Sequence, residues 1–132
     1  MAWVVDTSVL LDIFSADPIF ADSSAHCLTA HLGSGLVVCP ITYIEMAPSF
    51  AGNIGLQNQF LEEVGVEWPA PWTMADTQAA HRLWSEHIKA KRSGRVAKRP
   101  VADVLIEAFT QRFEGLITRN PKHFSTVPVI VA

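Results

Sequence analysis

Short apolar runs that stop abruptly at polar turn residues, alternating with stretches of helical periodicity, constrain this chain more than any other feature. Trp3-Val4-Val5 runs directly into Asp6-Thr7-Ser8, the pattern of a buried strand whose carboxyl end opens into a turn and a helix. Leu36-Val37-Val38-Cys39 repeats the form and ends at Pro40 and Thr42. Between them, residues 20–32 read as a helix stopped by Gly33-Ser34-Gly35. Helical segments at about 41–52 and 54–64 lead into Gly65-Val66-Glu67-Trp68, after which Pro69 and Pro71 break the chain. Ala75, Ala79, Leu83, Trp84 and Ile88 give residues 74–92 helical spacing, and Ser93-Gly94 opens a loop. Pro100 suits the first turn of a further helix, whose apolar positions are Val101, Leu105, Ile106 and Phe109. Leu116 to Thr118 and Val127 to Val131 are the last strands. Alternation of this kind predicts a three-layer α/β domain with a mostly parallel sheet.

The chain has 132 residues, the size of one domain, so residues 1–132 are read as a single unit. At 49% apolar and 17% charged residues, the composition excludes disordered, collagen-like and coiled-coil chains. Cys27 and Cys39 lack the spacing of a disulfide framework or zinc module, which predicts reduced thiols and a cytoplasmic protein. The first residues lack the basic leader and cleavage site of a signal peptide, and charges or Pro128 interrupt every apolar run before it could span a membrane. Net charge is −3, yet six of the ten basic residues (Lys89, Lys91, Arg92, Arg95, Lys98 and Arg99) lie in one stretch without an acid. A basic segment is thus set against an acidic body.

Ligands of open parallel sheets bind beyond the carboxyl ends of the strands. That rule selects Asp6 after the first strand, Glu45 after the second, Asp103 at the start of the late helix and Asn120 after Leu116-Ile117-Thr118. Each has a structural alternative. Asp6 could cap a helix, Thr42-x-x-Glu45 matches a capping box, Asp103 suits the dipole of a helix first turn, and Asn120-Pro121 is an ordinary turn opener. Together they form a different object, because crowded carboxylates raise one another's pKa unless a cation offsets the charge. Carboxylate, amide and hydroxyl oxygens suit Mg²⁺ or Mn²⁺, which can activate a water and stabilise a charged phosphoryl oxygen. Phosphodiester hydrolysis is the chemistry implied, with the basic stretch holding backbone phosphates.

Asp6-Thr7-Ser8, Thr42-x-x-Glu45, Pro100-x-x-Asp103-x-x-Ile106 and Leu116-Ile117-Thr118-Arg119-Asn120-x-x-x-Phe124, in this order and spacing, resemble the PIN-domain family, specifically its VapC-type toxins of toxin–antitoxin pairs. The resemblance covers essentially the whole chain. It implies a Rossmann-like five-stranded sheet with central order 3-2-1-4-5, Mg²⁺- or Mn²⁺-dependent endoribonuclease activity, homodimerisation, and an antitoxin inserted near the site. Asp6, Glu45 and Asp103 match the metal-binding acids, Asn120 the fourth position, and Thr7 and Ser8 the hydroxyls beside the first acid.

Two positions depart from that pattern. Asn120 stands where Asp is common, which lowers the charge of the site, and His123 stands where another acid is common before Phe124. Glu107 lies one turn after Asp103 on the same helix face, where it either supplements the acids, the preferred reading, or pairs with Arg99 or Arg112. His123 is read as a surface turn residue without a catalytic role. Trp3, Trp68, Trp72 and Trp84 are read as core or dimer contacts rather than base-stacking platforms. Arg92, Arg95, Lys98 and Arg99 are the candidate contacts to RNA. A phosphoryl-transfer domain with Asp6 as nucleophile would want a second acid two residues on or a late lysine, where Ser8 and Asn120 stand instead. The other alternative is an eroded module that holds RNA or a partner without cutting.

Overall fold

A computed structural model describes residues 2–67 and 70–132. Five short strands, β1 (Trp3–Val5), β2 (Leu36–Val37), β3 (Val66–Glu67), β4 (Gly115–Thr118) and β5 (Val129–Val131), form one sheet of order β3-β2-β1-β4-β5. Every pairing is parallel. Six helices connect them: α1 (Thr7–Phe14), α2 (Ala21–His31), α3 (Pro40–Glu45), α4 (Ile54–Glu63), α5 (Met74–Arg92) and α6 (Val101–Thr110). This is the α/β architecture and strand order expected from the sequence.

Residue alternation in the central strands explains the layering. Val4 and Leu116 face one core with Ile106 and Phe109 of α6, whereas Val5 and Ile117 face the other with Val9, Leu10, Leu28 and Leu61 of α1, α2 and α4. All four strand residues are fully buried, so helices cover the sheet on both sides. A patch of small residues, Ala79, Ala80 and Ala108, lets α5 and α6 approach closely. Gly115 is required by a close approach: a Cβ there would strike the Pro128 carbonyl and the Trp3 ring.

Several boundaries differ from the sequence reading. The expected helix at 41–52 is divided into α3 and a 3-10 turn, Ala47–Phe50, which ends in left-handed Ala51. Pro100 is the residue before α6 rather than part of its first turn, with ψ 139°. The final strand begins at Val129, because Pro128 has no N–H to donate to a ladder. Cys27 and Cys39 are free thiols, and burial pushes Cys39 up to about 12 against the opposing amides of Ile41 and Thr42. Trp3 packs against the core and Trp72 stacks on Phe109, 6.2 Å between centroids, while Trp68 lies outside the described residues.

Candidate functional site

Asp6 occupies the carboxyl end of β1, the centre of the sheet. Its N–H donates to the Ile117 carbonyl at 2.9 Å, and its extended backbone (φ −72°, ψ 151°) makes it the N-cap of α1. The capping alternative is therefore realised, but it uses only one carboxylate oxygen: Oδ1 accepts from the Thr7 N–H at 2.8 Å. Oδ2 accepts from the Thr118 hydroxyl at 2.6 Å and the Ser8 hydroxyl at 3.4 Å. The residue is only 6% exposed. Burial raises its pKa above the ordinary carboxylate value, the Thr118 and Thr7 hydrogen bonds oppose the rise, and repulsion from Asp103 and Glu45 adds to it. Asp103 and Glu45 are thus within electrostatic reach of Asp6.

Glu45 ends α3, and its carboxylate accepts from the Thr7 hydroxyl at 2.7 Å. Thr7 also lies 3.0 Å from the Thr42 hydroxyl, so residues 35 positions apart join the ends of the first two strands. The capping-box alternative for Thr42 and Glu45 is not realised, because Pro40 already starts α3 and both residues sit inside it. The box forms instead between Thr73 and Asp76 at the start of α5.

Asp103 lies in the first turn of α6, where its Oδ2 is 3.0 Å from His123 Nδ1. His123, read from sequence as a surface turn residue, is half-exposed but touches a site acid. Asn120 is exposed, and its backbone N–H, rather than its side chain, is engaged, donating to Thr118 Oγ1 at 3.0 Å. Thr118 was not selected by sequence reasoning. Parallel pairing of Val5 with Ile117 places it beside Asp6, and that register is the signal that identifies it. Thr118→Val should raise the Asp6 pKa further and cost about 1.5–3 kcal/mol, since a hydrogen bond to a charged group is lost. Carboxyl NMR titration and chemical denaturation check the two effects.

Glu107 takes the second of its two alternatives. Fully buried on α6, its carboxylate is held by Arg99 at 2.9 Å, the Thr126 N–H at 2.8 Å and the Thr126 hydroxyl. Arg112 goes to Asp76 instead. A carboxylate without water needs a cation and donors, and Arg99 is the cation packing supplies. Arg99 is thereby removed from the RNA-binding set expected of the basic stretch: its backbone N–H also donates to His87 Nε2, and its guanidinium lies 5.7 Å from the Phe124 ring centre. Arg92, Arg95 and Lys98 are exposed, with Arg95 Nε donating to the Ser93 hydroxyl at 2.9 Å.

Among the described residues, no three His, Cys, Asp or Glu side chains are grouped so as to hold an ion by themselves. Glu45 is engaged by Thr7 and Asp103 by His123. The oxygen donors nevertheless suit a hard divalent cation, which would offset the burial and the lesser repulsion that raise Asp6. Mg²⁺ commonly keeps several waters and takes only one or two carboxylates, a demand that Asp6 and Asp103 fit.

Fold and site together define a three-layer parallel α/β domain with carboxylates gathered at the carboxyl end of its central strand. No family model and no curated protein matches the chain. Among solved structures, a chain in the crystal structure of VapBC2 from Rickettsia felis bound to a DNA fragment from their promoter has the same fold, with a TM-score of 0.70. That likeness covers 97% of this chain and 94% of the other at 17% identity. No described helix is long and apolar enough to cross a membrane.

Proposed function

We propose that this chain is a Mg²⁺- or Mn²⁺-dependent endoribonuclease and the toxin of a toxin–antitoxin pair, working in the cytoplasm as a homodimer. The observation that carries the reading is the buried Asp6 carboxylate at the end of β1, with Asp103 and Glu45 close enough to raise its pKa. Residues that serve only as caps have no reason to gather from three separate elements. Similarity of fold to a chain from the VapBC2 complex supports the same reading and the expectation of a protein partner.

Asp6 and Asp103 would hold the metal, which supplies a Lewis acid for a phosphoryl oxygen and a water of lowered pKa. The Thr7 N–H and the Thr118 and Ser8 hydroxyls hold the Asp6 carboxylate in place, and the Thr7 and Thr118 hydrogen bonds oppose the burial that raises its pKa. His123 fixes Asp103 from its Oδ2 side, and Thr7 orients Glu45. Glu45 is exposed, so it is the acid able to take a proton from attacking water. Asn120 offers a neutral amide at the mouth of the site. An antitoxin would silence such a site with a basic side chain, most effectively an arginine forked onto a carboxylate.

Purified chain should cleave RNA with Mg²⁺ or Mn²⁺ and not in EDTA, and expression of the chain alone should arrest growth. RNA binding with neither cleavage nor arrest would replace this reading by that of an eroded binding module, which neutral Asn120 favours.

A further inference from the structure

A cavity of about 610 Å³ opens between the end of α5, the basic loop and the 3-10 turn Pro121–His123. Its size falls within the range of about 300–1,000 Å³ typical of small-ligand sites. Leu83, Ala90, Val96 and Pro100 give it an aliphatic floor. One wall is preformed: Arg99 is tied to buried Glu107 by its side chain and to buried His87 by its backbone. With Glu107 neutralised by Arg99, the charges left on the lining are Lys98 and Lys122 against Glu86. Both lysines are exposed and form no ion pair among the described residues. His123 lines the cavity and also contacts Asp103, so one side chain links the cavity to the candidate active site.

We propose that this cavity is the subsite for the nucleotide adjoining the cleaved phosphodiester, its base on the aliphatic floor and its phosphate against Lys98 and Lys122. This assignment rests on the nuclease reading of the acids. An apolar floor buries the face of any base without reading its edges, two ammonium groups free of ion pairs among the described residues match a phosphate, and Glu86 supplies an acceptor for ribose hydroxyls. A purely acidic peptide would find cations here but no use for the floor. Of the basic stretch, Lys98 thereby keeps its phosphate role and is joined by Lys122 from a different part of the chain, whereas Arg92 and Arg95 lie outside the cavity lining and Arg99 is paired internally.

The test uses the full-length protein in EDTA, so that no bond is cut, titrated with adenosine 3′-monophosphate and uridine 3′-monophosphate and followed by backbone amide shifts. Inorganic phosphate and a hexaglutamate peptide serve as comparisons. Both nucleotides should shift amides at 96–98 and 122–126, and more tightly than phosphate does. Joint replacement Lys98→Gln and Lys122→Gln should weaken nucleotide binding about tenfold and lower the salt slope for a single-stranded RNA by about 1.4, two contacts' worth. Ala90→Trp should block the cavity, and the lysine pair decides the matter should that variant fail to fold. Equal response to phosphate and nucleotides, response to hexaglutamate alone, or no response would each overturn the subsite. Nucleotide binding by a chain that cuts no RNA keeps the subsite as a binding site and removes the nuclease; RNA cleavage without nucleotide binding does the reverse.

Discussion

Asp6→Asn should reduce RNA cleavage by about three orders of magnitude while raising the melting temperature. The loss follows from removing one charged ligand of a site whose metal supplies several kcal/mol of transition-state stabilisation, at about 1.4 kcal/mol per tenfold in rate. The gain follows from the sign of the pKa shift. Burial raises the folded-state value of Asp6, with Asp103 and Glu45 adding to it. A raised carboxylate contributes stability below its unfolded pKa and loses it as pH rises through the folded value, so above that value the ionised group opposes folding. Asparagine keeps the cap by accepting from the Thr7 N–H and carries no charge. The increase should shrink as pH falls toward the ordinary carboxylate range. Near-normal cleavage would remove Asp6 from the reaction, and a lower melting temperature would show that its charge is already offset in the folded protein.

The largest loss of stability is expected far from the acids, at Asp76. Its buried carboxylate accepts from Arg112 at 2.6 and 2.9 Å and from the Thr73 N–H at 2.8 Å, while its own N–H donates to the Thr73 hydroxyl oxygen at 3.3 Å. Arg112 also donates to the Pro71 carbonyl and lies over the rings of Phe109 and Phe113. One residue thus closes the capping box of α5 and fastens that helix to the carboxyl end of α6. Asp76→Ala should cost about 3–5 kcal/mol, because it breaks a cap and strands a partly buried guanidinium. Although burial pushes the Asp76 pKa upward, the Arg112 and Thr73 hydrogen bonds outweigh it and the net shift is downward. A lowered carboxylate contributes stability above its unfolded pKa and loses it as pH falls through the folded value. Denaturation of the wild type should therefore show a loss between about pH 4 and lower values that the Asp76→Ala variant lacks. A cost below about 1 kcal/mol would mean that α5 is held by apolar packing alone.

These two aspartates show where the sequence was readable. Asp6 was legible because a three-residue apolar strand ends on it, and the carboxyl ends of parallel strands are where ligands bind. Asp76 was not, although Thr73-x-x-Asp76 has the spacing of a capping pair, because Thr42-x-x-Glu45 offers the same local pattern and only one of the two starts a helix. Pro40 at the first position of α3 carries Thr42 into the helix interior. Residues 74–92 were legible as a helix to the residue, since Ala75, Ala79, Leu83, Trp84 and Ile88 recur at helical spacing and Ser93-Gly94 open a loop. The segment at 41–52 was not, because the break at Met46 to Ala51 uses a left-handed alanine that propensity does not announce.

By itself the sequence determined the order of strands and helices, the parallel sheet, and the emergence of Asp6, Glu45 and Asp103 at the ends or starts of elements. Those features depend on periodicity and on neighbours a few positions away, which a linear chain displays. Only the tertiary structure decided which partner each acid meets. Thr118 reaches Asp6 across 112 positions through the register of β1 on β4, and His123 reaches Asp103 across 20. Glu107 turns to Arg99 and Thr126 because helix packing excludes water from its face of α6 and leaves those groups as its donors. Partner choice is a matter of side-chain direction and desolvation after packing, and neither is written in spacing along the chain.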